Sequence, residues 1–164
     1  MSPVLKDKVA IITGAGRGLG KAFALRYAEE GAKLLLPDIG LERSEQTAAE
    51  IRARGGEAVA MRADISIVED TQAIAAEVKR IYGGVDILLN NAAIYYGLQM
   101  KEWNGFIKED WDSIFAVNVT GTYMVCKAVA PLMIEKGRGK IINVASDVFK
   151  GEAAMSLMPY ACSK

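Results

Sequence analysis

Short apolar runs alternate along the chain with longer segments of helical periodicity. Five runs predict buried strands, because each is brief and apolar on both faces: residues 9–12, 34–36, 58–61, 85–89 and 141–144. Helical patterns lie between them, over residues 18–30, 42–54, 67–82 and 109–136. This alternation predicts a parallel sheet covered by helices on both sides, a doubly wound, three-layer α/β/α fold of Rossmann-like type.

Local signals support the predicted helix ends. A glycine follows each helical pattern, and glycine adopts the left-handed conformation that ends helices at little cost: Gly31, Gly55, Gly83 and Gly137. Ser66 and Glu69 have the spacing of a capping box and predict the start of the third helix. The stretch from Gly97 to Gly105 lacks periodicity and is predicted to be an irregular insertion.

Composition narrows the classes of protein. With 164 residues, 51% of them hydrophobic, the chain predicts one domain over residues 1–164. Twenty basic residues balance twenty acidic ones, so no nucleic-acid partner is expected. The N-terminus lacks a secretory pattern and no apolar run approaches the roughly 20 residues of a membrane span, which predicts a cytoplasmic protein without a membrane partner.

The chain contains no histidine. Ser-His-Asp and Cys-His nucleophiles and His-ligated metal sites are therefore excluded, and no metal site is predicted. The two cysteines, Cys126 and Cys162, have no paired spacing, which favours a reducing compartment and a packing role for both. Proton transfer must then use a carboxylate, Tyr, Lys, Cys or bound water.

A glycine-rich turn follows the first predicted strand. Residues 13–20 read Thr-Gly-Ala-Gly-Arg-Gly-Leu-Gly, and a helical pattern begins directly after them. Glycines let the backbone approach a pyrophosphate, and the helix N-terminus presents free amides to its charge. The absence of a Gly-Lys-Ser/Thr ending disfavours a P-loop. The turn therefore predicts a dinucleotide site.

The second predicted strand leads into Asp38. A carboxylate there accepts a hydrogen bond from the ribose 2′-hydroxyl and repels a 2′-phosphate, which favours NAD over NADP. Arg17 is the opposing signal, since a guanidinium beside the ribose could bind that phosphate. We expect NAD, with NADP as the less favoured cofactor.

The ordered series of motifs resembles the short-chain dehydrogenase/reductase family across essentially the whole chain. Thr13 to Gly20 match T-G-x-x-x-G-x-G, Ala-Asp-Ile contains Asp64, and Asn90-Asn91-Ala92 match Asn-Asn-Ala-Gly, with Ala93 in place of the last glycine. The resemblance implies these cofactor-binding residues: Gly14, Arg17, Gly18, Leu19, Gly20, Asp38, Asp64, Ile65, Asn91, Ala92, Tyr160 and Lys164.

The same resemblance implies a catalytic set of Asn118, Ser146, Tyr160 and Lys164. Tyr160 and Lys164 have i,i+4 spacing, which puts them on one face of a helix. A free phenol loses its proton near about pH 10, but an adjacent ammonium and an oxidised nicotinamide stabilise the phenolate. Tyr160 is then the general acid/base, Ser146 hydrogen-bonds the substrate oxygen, and Asn118 holds a water that links Lys164 to solvent.

The expected function is hydride transfer between a nicotinamide cofactor and a small secondary alcohol or ketone. Reduction of a 3-oxoacyl thioester is an alternative, and a non-catalytic NAD(H)-binding module is an alternative of another class. Candidates for the substrate pocket come from two loops: Tyr95, Tyr96, Asp147, Phe149, Met155 and Leu157.

The position of Lys164 at the end of the sequence adds a further expectation. The resemblance implies additional C-terminal strands and a homo-oligomer, dimer or tetramer, in the complete protein. These 164 residues are accordingly expected to be the N-terminal portion of a longer enzyme and to be inactive by themselves.

Overall fold

The computed structural model describes residues 3–151 and 153–164. Within them, five parallel strands form one sheet in the order β3-β2-β1-β4-β5. The strands are β1 (Val9–Ile12), β2 (Lys33–Asp38), β3 (Glu57–Arg62), β4 (Ile87–Asn90) and β5 (Lys140–Asn143). The predicted doubly wound parallel sheet is confirmed, and the strand order reverses between β1 and β4.

Helices connect the strands. They are α1 (Gly18–Glu29), α2 (Leu41–Ala53), α3 (Val68–Tyr82), α4 (Lys108–Phe115), α5 (Thr122–Glu135), α6 (Ala153–Ser156) and α7 (Met158–Ser163). The four glycines at the predicted helix ends have positive φ, as expected. Residues 91–107 carry no helix or strand, which confirms an irregular connection.

Alternate residues of the strands face two separate cores. Ile11, Leu35 and Leu88 pack on one side with α3 and α5. Ile12 and Leu36 pack on the other side with α1 and α2. The three-layer architecture follows from this alternation, since successive strand side chains point to opposite faces.

The third helix begins differently from the prediction. The Ser66 hydroxyl donates to Asp64 Oδ1 at 2.6 Å, and α3 begins at Val68 after Ile67, which makes no side-chain cap. The predicted capping box of Ser66 and Glu69 is therefore wrong, because the carboxylate of Asp64 has engaged the hydroxyl that would have capped the helix.

The predicted helix over residues 109–136 is two α-helices joined by a π-helical turn, Ala116–Gly121. The Asp110 carboxylate accepts the Ile107 N–H at 3.0 Å and so marks the start of α4. Gly121 lies against the backbone of Ile65: a Cβ at this position would be 2.8 Å from the Ile65 carbonyl oxygen.

This continuous helical stretch, Lys108–Glu135, has the length and composition of a membrane span, contrary to the sequence expectation. A core helix of a soluble protein passes the same test. Val125, Val129 and Met133 of this stretch are buried against the sheet side of the molecule.

Candidate active site

A cavity of about 780 Å³ opens at the carboxyl ends of the strands. Residues at the end of each of the five strands, or just after it, line the cavity: Gly14, Asp38, Asp64, Asn91 and Ser146. Open parallel α/β sheets bind ligands at this edge, where the strand order reverses. The fold thus brings the predicted chemistry-bearing connections to one place.

Thr13 and Asn91 tie the connection after β1 to the connection after β4. Thr13 Oγ1 accepts the N–H groups of Asn91 and Ala92, both at 3.1 Å. The Asn91 amide donates to the carbonyl oxygens of Thr13 at 3.1 Å and Gly14 at 3.2 Å. The side chain of Asn91 therefore holds the glycine turn in place, and Asn91 also lines the cavity.

The glycine turn has no room for side chains at two positions. Gly14 has a φ of +68°, and a Cβ there would lie 2.8 Å from the Ala92 Cα. A Cβ at Gly20 would lie 2.1 Å from the Gly14 carbonyl oxygen and 2.5 Å from the Asn91 side-chain nitrogen. Because α1 starts at Gly18 with no side-chain cap, its first amides and this bare backbone fit a pyrophosphate.

Asp38 is buried, and both of its carboxylate oxygens accept hydrogen bonds. Its Oδ2 accepts the Gly16 N–H at 2.9 Å, and its Oδ1 accepts the Gly40 N–H at 2.8 Å. The Arg43 guanidinium also donates to Oδ1 from Nε at 2.8 Å and forms an ion pair with it, with Nη2 at 2.6 Å from the same oxygen. Arg43 is a cavity-lining residue that sequence reasoning missed, because its position in the first turn of α2, five residues after Asp38, does not by itself specify the contact.

Arg17 and Leu19 are exposed residues of the glycine turn, and both line the cavity. The Arg17 guanidinium lies over the Tyr96 ring, 4.4 Å from its centroid. Tyr96 in turn packs edge-on against Tyr95, with ring centroids 5.7 Å apart. Arg17 thus contacts an aromatic side chain, while Arg43 is the guanidinium that pairs with Asp38.

The connection after β3 contributes Asp64 and Ile65 to the cavity wall. The Asp64 carboxylate accepts the Ser66 N–H at 2.9 Å as well as the Ser66 hydroxyl, which holds this turn in place. Ile65 is buried and presents an apolar surface. Asp64 and Ile65 could therefore bind a planar ring, such as that of a nucleotide base, through one polar and one apolar contact.

Ser146, Tyr160 and Lys164 line the far end of the same cavity. Tyr160 is buried, and its ring lies 5.0 Å from that of Tyr95. Burial lowers the pKa of Lys164, whose ammonium donates to the main-chain oxygen of Val144. Ser146 Oγ accepts the Val148 N–H at 3.2 Å, so its own proton is free to point elsewhere.

Asn118 lies in the π-helical turn and does not line this cavity. Its Oδ1 accepts the Ile94 N–H at 2.8 Å, and its Nδ2 donates to Ser163 Oγ at 2.9 Å. Ser163 donates onward to the carbonyl oxygen of Tyr160 at 2.8 Å. Asn118 lines an adjacent cavity of about 400 Å³, to which Lys164 also contributes.

The substrate-pocket candidates divide into two groups. Tyr95, Tyr96 and Asp147 line the large cavity. Phe149, Met155 and Leu157 do not, and Phe149 and Met155 are exposed, because the segment after β5 runs along the surface. Cys162 is also exposed, which corrects the expectation of a packing role.

The all-parallel sheet and the glycine-lined cavity at its switch point define a Rossmann-type α/β protein. The sequence profile described as "short chain dehydrogenase" matches residues 8–164, and the chain belongs to this family.

Named relatives extend this result. The chain is 41% identical over 162 residues to galactitol 2-dehydrogenase of Agrobacterium fabrum, covering 98% of this chain and 60% of that protein. A crystal structure of NAD+-bound xylitol dehydrogenase superposes with a TM-score of 0.91 at 34% identity, covering 98% of this chain and 61% of the other. A metagenomic short-chain oxidoreductase in complex with NADP gives 0.86 at 34% identity, with 98% and 71% covered. The chain thus spans about three fifths of the length of the first two.

Proposed function

We propose that the protein is an oxidoreductase that transfers a hydride between a nicotinamide cofactor and a secondary alcohol or its ketone. One observation carries the proposal: a single cavity joins the bare glycine turn at one end to Ser146, Tyr160 and Lys164 at the other. A non-catalytic nucleotide-binding module would need the first end and would have no use for the second.

The first end supports binding of the adenine dinucleotide. The free amides at the start of α1 and the close approach at Gly14 and Gly20 suit the pyrophosphate. Asp38 suits the adenine ribose and favours NAD. Asp64 and Ile65 border the space for the adenine ring, while Arg17, Leu19 and Ala92 border the space for the rest of the cofactor.

The second end supports acid-base chemistry by Tyr160. The bound nicotinamide supplies the acceptor or donor of the hydride. As the hydride leaves the substrate carbon, the phenolate of Tyr160 takes the hydroxyl proton, and it returns that proton in the reverse direction. Lys164 stabilises the phenolate as a cation, and Ser146 donates to the substrate oxygen. Asn118 is a positioning residue, since its contacts reach Tyr160 through Ser163.

The substrate class proposed is a polyol. Hydroxyl-rich substrates need several hydrogen-bonding groups around an otherwise apolar wall. Asp147, Tyr95 and Tyr96 provide such groups in the cavity that Ser146 also lines. The names of the galactitol and xylitol relatives agree with this chemistry.

The test is nicotinamide absorbance with a panel of polyols and simple secondary alcohols. Tyr160→Phe should lower kcat by about a thousandfold while dinucleotide affinity is nearly unchanged, because it removes only the acid-base hydroxyl. Tyr27→Phe is the matched control, since it removes a hydroxyl from α1 outside the cavity. Undiminished turnover by Tyr160→Phe would refute the proposed acid-base role, and absence of turnover with every alcohol would favour the binding module.

A further inference from the structure

The Asp38 carboxylate does not face the cavity as a bare negative charge. Its side chain is 2% exposed, whereas that of Arg43 is 36% exposed. The guanidinium donates one hydrogen bond to Oδ1 from Nε, its Nη2 lies 2.6 Å from the same oxygen, and it is the more exposed partner of the pair among the residues that line the cavity. The charge presented to a ribose at this end is therefore that of an ion pair.

Arg43 is held in this position by packing as well as by charge. It is the third residue of α2, and its aliphatic stem crosses the glycine turn: a Cβ at Gly16 would lie 2.3 Å from the Arg43 Cγ. The glycine at position 16 thus leaves room for the arginine stem, and that stem carries the guanidinium to the edge of the ribose space.

We infer that Arg43 is a specificity-determining residue, which sets how strongly Asp38 discriminates NAD from NADP. An unpaired carboxylate repels a 2′-phosphate dianion. A guanidinium paired with that carboxylate cancels much of the repulsion and can donate hydrogen bonds to the phosphate in a fork geometry. This inference rests on the proposed function, because it requires an adenine ribose at Asp38.

Arg17 is the other guanidinium near the glycine turn, but its contact is with Tyr96 at 4.4 Å. Asp38 makes its charged contacts with Arg43. The sequence alone suggested that Arg17 could bind the 2′-phosphate of NADP. The contacts of Asp38 favour Arg43 for this role.

The decisive variant is Arg43→Met, which keeps an unbranched stem over Gly16 and removes the guanidinium. The dissociation constants of NADH and NADPH are measured in the encoded full-length protein by fluorescence titration, so that no turnover is needed. We expect the ratio of the NADPH constant to the NADH constant to rise about tenfold, mainly through weaker NADPH binding. Arg43→Lys should restore part of the NADPH affinity, since it keeps the charge without the fork.

Arg52→Met is the matched control, because Arg52 lies on the same helix and pairs with Glu45 away from the cavity. It should leave the ratio unchanged. If Arg43→Met lowers the melting temperature but leaves the ratio unchanged, Arg43 is a structural residue and the inference is wrong. If the parent protein binds neither dinucleotide, the proposed function fails first and the inference fails with it.

Discussion

The central strands of the sheet, β1 and β2, are buried far more completely than the β5 edge. In β1 and β2 the central residues Ile11 and Leu35 are completely buried. In β5, at the edge of the sheet, Ile141 and Ile142 are 41% and 42% exposed. The glycine turn and Asp38 follow the buried strands, whereas Ser146, Tyr160 and Lys164 follow the exposed one. Within these 164 residues, the proposed cofactor-binding residues therefore follow fully buried strands, and the proposed catalytic residues follow a partly exposed one.

Polar side-chain contacts attach the β5 edge to the rest of the sheet. Asn90 donates to the Asn143 side chain at 2.8 Å and so joins β4 to β5. Asn118 holds α7 through Ser163 at 2.9 Å, and Lys164 donates to Val144 after β5. Local stability depends on the amount of buried apolar contact. In this 164-residue chain we therefore expect the β5 edge to unfold locally more readily than the central strands β1 and β2.

The largest predicted difference is between two isoleucines of the same sheet. Ile11→Ala should lower the free energy of unfolding by about 4 kcal/mol, because it leaves a cavity in a closed core. Ile142→Ala should cost about 1 kcal/mol or less, since its side chain is already in partial contact with water. Chemical denaturation of the 164-residue chain measures both, and equal losses would contradict the comparison.

The second prediction concerns two glycines. Gly20→Ala should weaken dinucleotide binding about a hundredfold, or by about 2.7 kcal/mol, because the new methyl displaces the Gly14 carbonyl or the Asn91 amide that shape the turn. Gly84→Ala is the control, since a Cβ there meets nothing within 4 Å. Titration with NADH measures the effect, and similar affinities for the two variants would show that the tight glycine turn is not the binding element.

The smallest predicted effect concerns Asp86, whose carboxylate contacts both β1 and the segment after α5. Its Oδ2 accepts the Val9 N–H of β1 at 3.0 Å, and its Oδ1 lies 2.7 Å from the Lys136 ammonium beyond α5. Burial opposes ionisation, but Lys136 and the Val9 N–H together hold the pKa of Asp86 below its usual value. Its contribution is therefore present above the unfolded pKa of about 4 and is lost as pH falls through the folded pKa.

Asp86→Asn should cost about 1–2 kcal/mol at neutral pH and should flatten the decline of stability below about pH 4. Unfolding midpoints across the acid range measure this. Asp112→Asn is the control, because Asp112 is exposed and pairs with its helical neighbour Lys108. If the dependence of the unfolding midpoint on acid pH is unchanged in Asp86→Asn, the ionisation of Asp86 does not contribute to stability.

Strands and helices were predictable because their signals are periodic and local. The runs at β1 and β2, the glycines at helix ends and the order of the motifs needed no tertiary information. Three features did: the capture of Ser66 by Asp64, the contact of Arg43 with Asp38, and the path of the segment after β5. Each depends on which side chains meet in space, and neither spacing nor propensity specifies that.

The site was predicted in part for the same reason. The spacing alone predicts Tyr160 and Lys164 on one helical face; in the structure α7 ends at Ser163, and both residues line the cavity. The hydrogen bond of Lys164 to Val144, however, depends on how α7 is placed against the end of β5. Asn118 was predicted within a helix and lies in the π-helical turn, but its hydrogen bonds to Ile94 and Ser163 depend on how that turn is placed against two other segments.

The π turn at Ala116–Gly121 has a consequence for insertions and deletions. A π turn holds about one more residue than the α-helical turn it replaces, so it accommodates an added residue without rotating the helix that follows. Deletion of one residue within 116–121 should therefore leave an α-helical turn, with the buried residues of α5 still facing the sheet. Deletion of one residue from the first turn of α5, which has no such extra residue, should instead rotate the rest of that helix by about 100° and turn its buried residues away from the sheet.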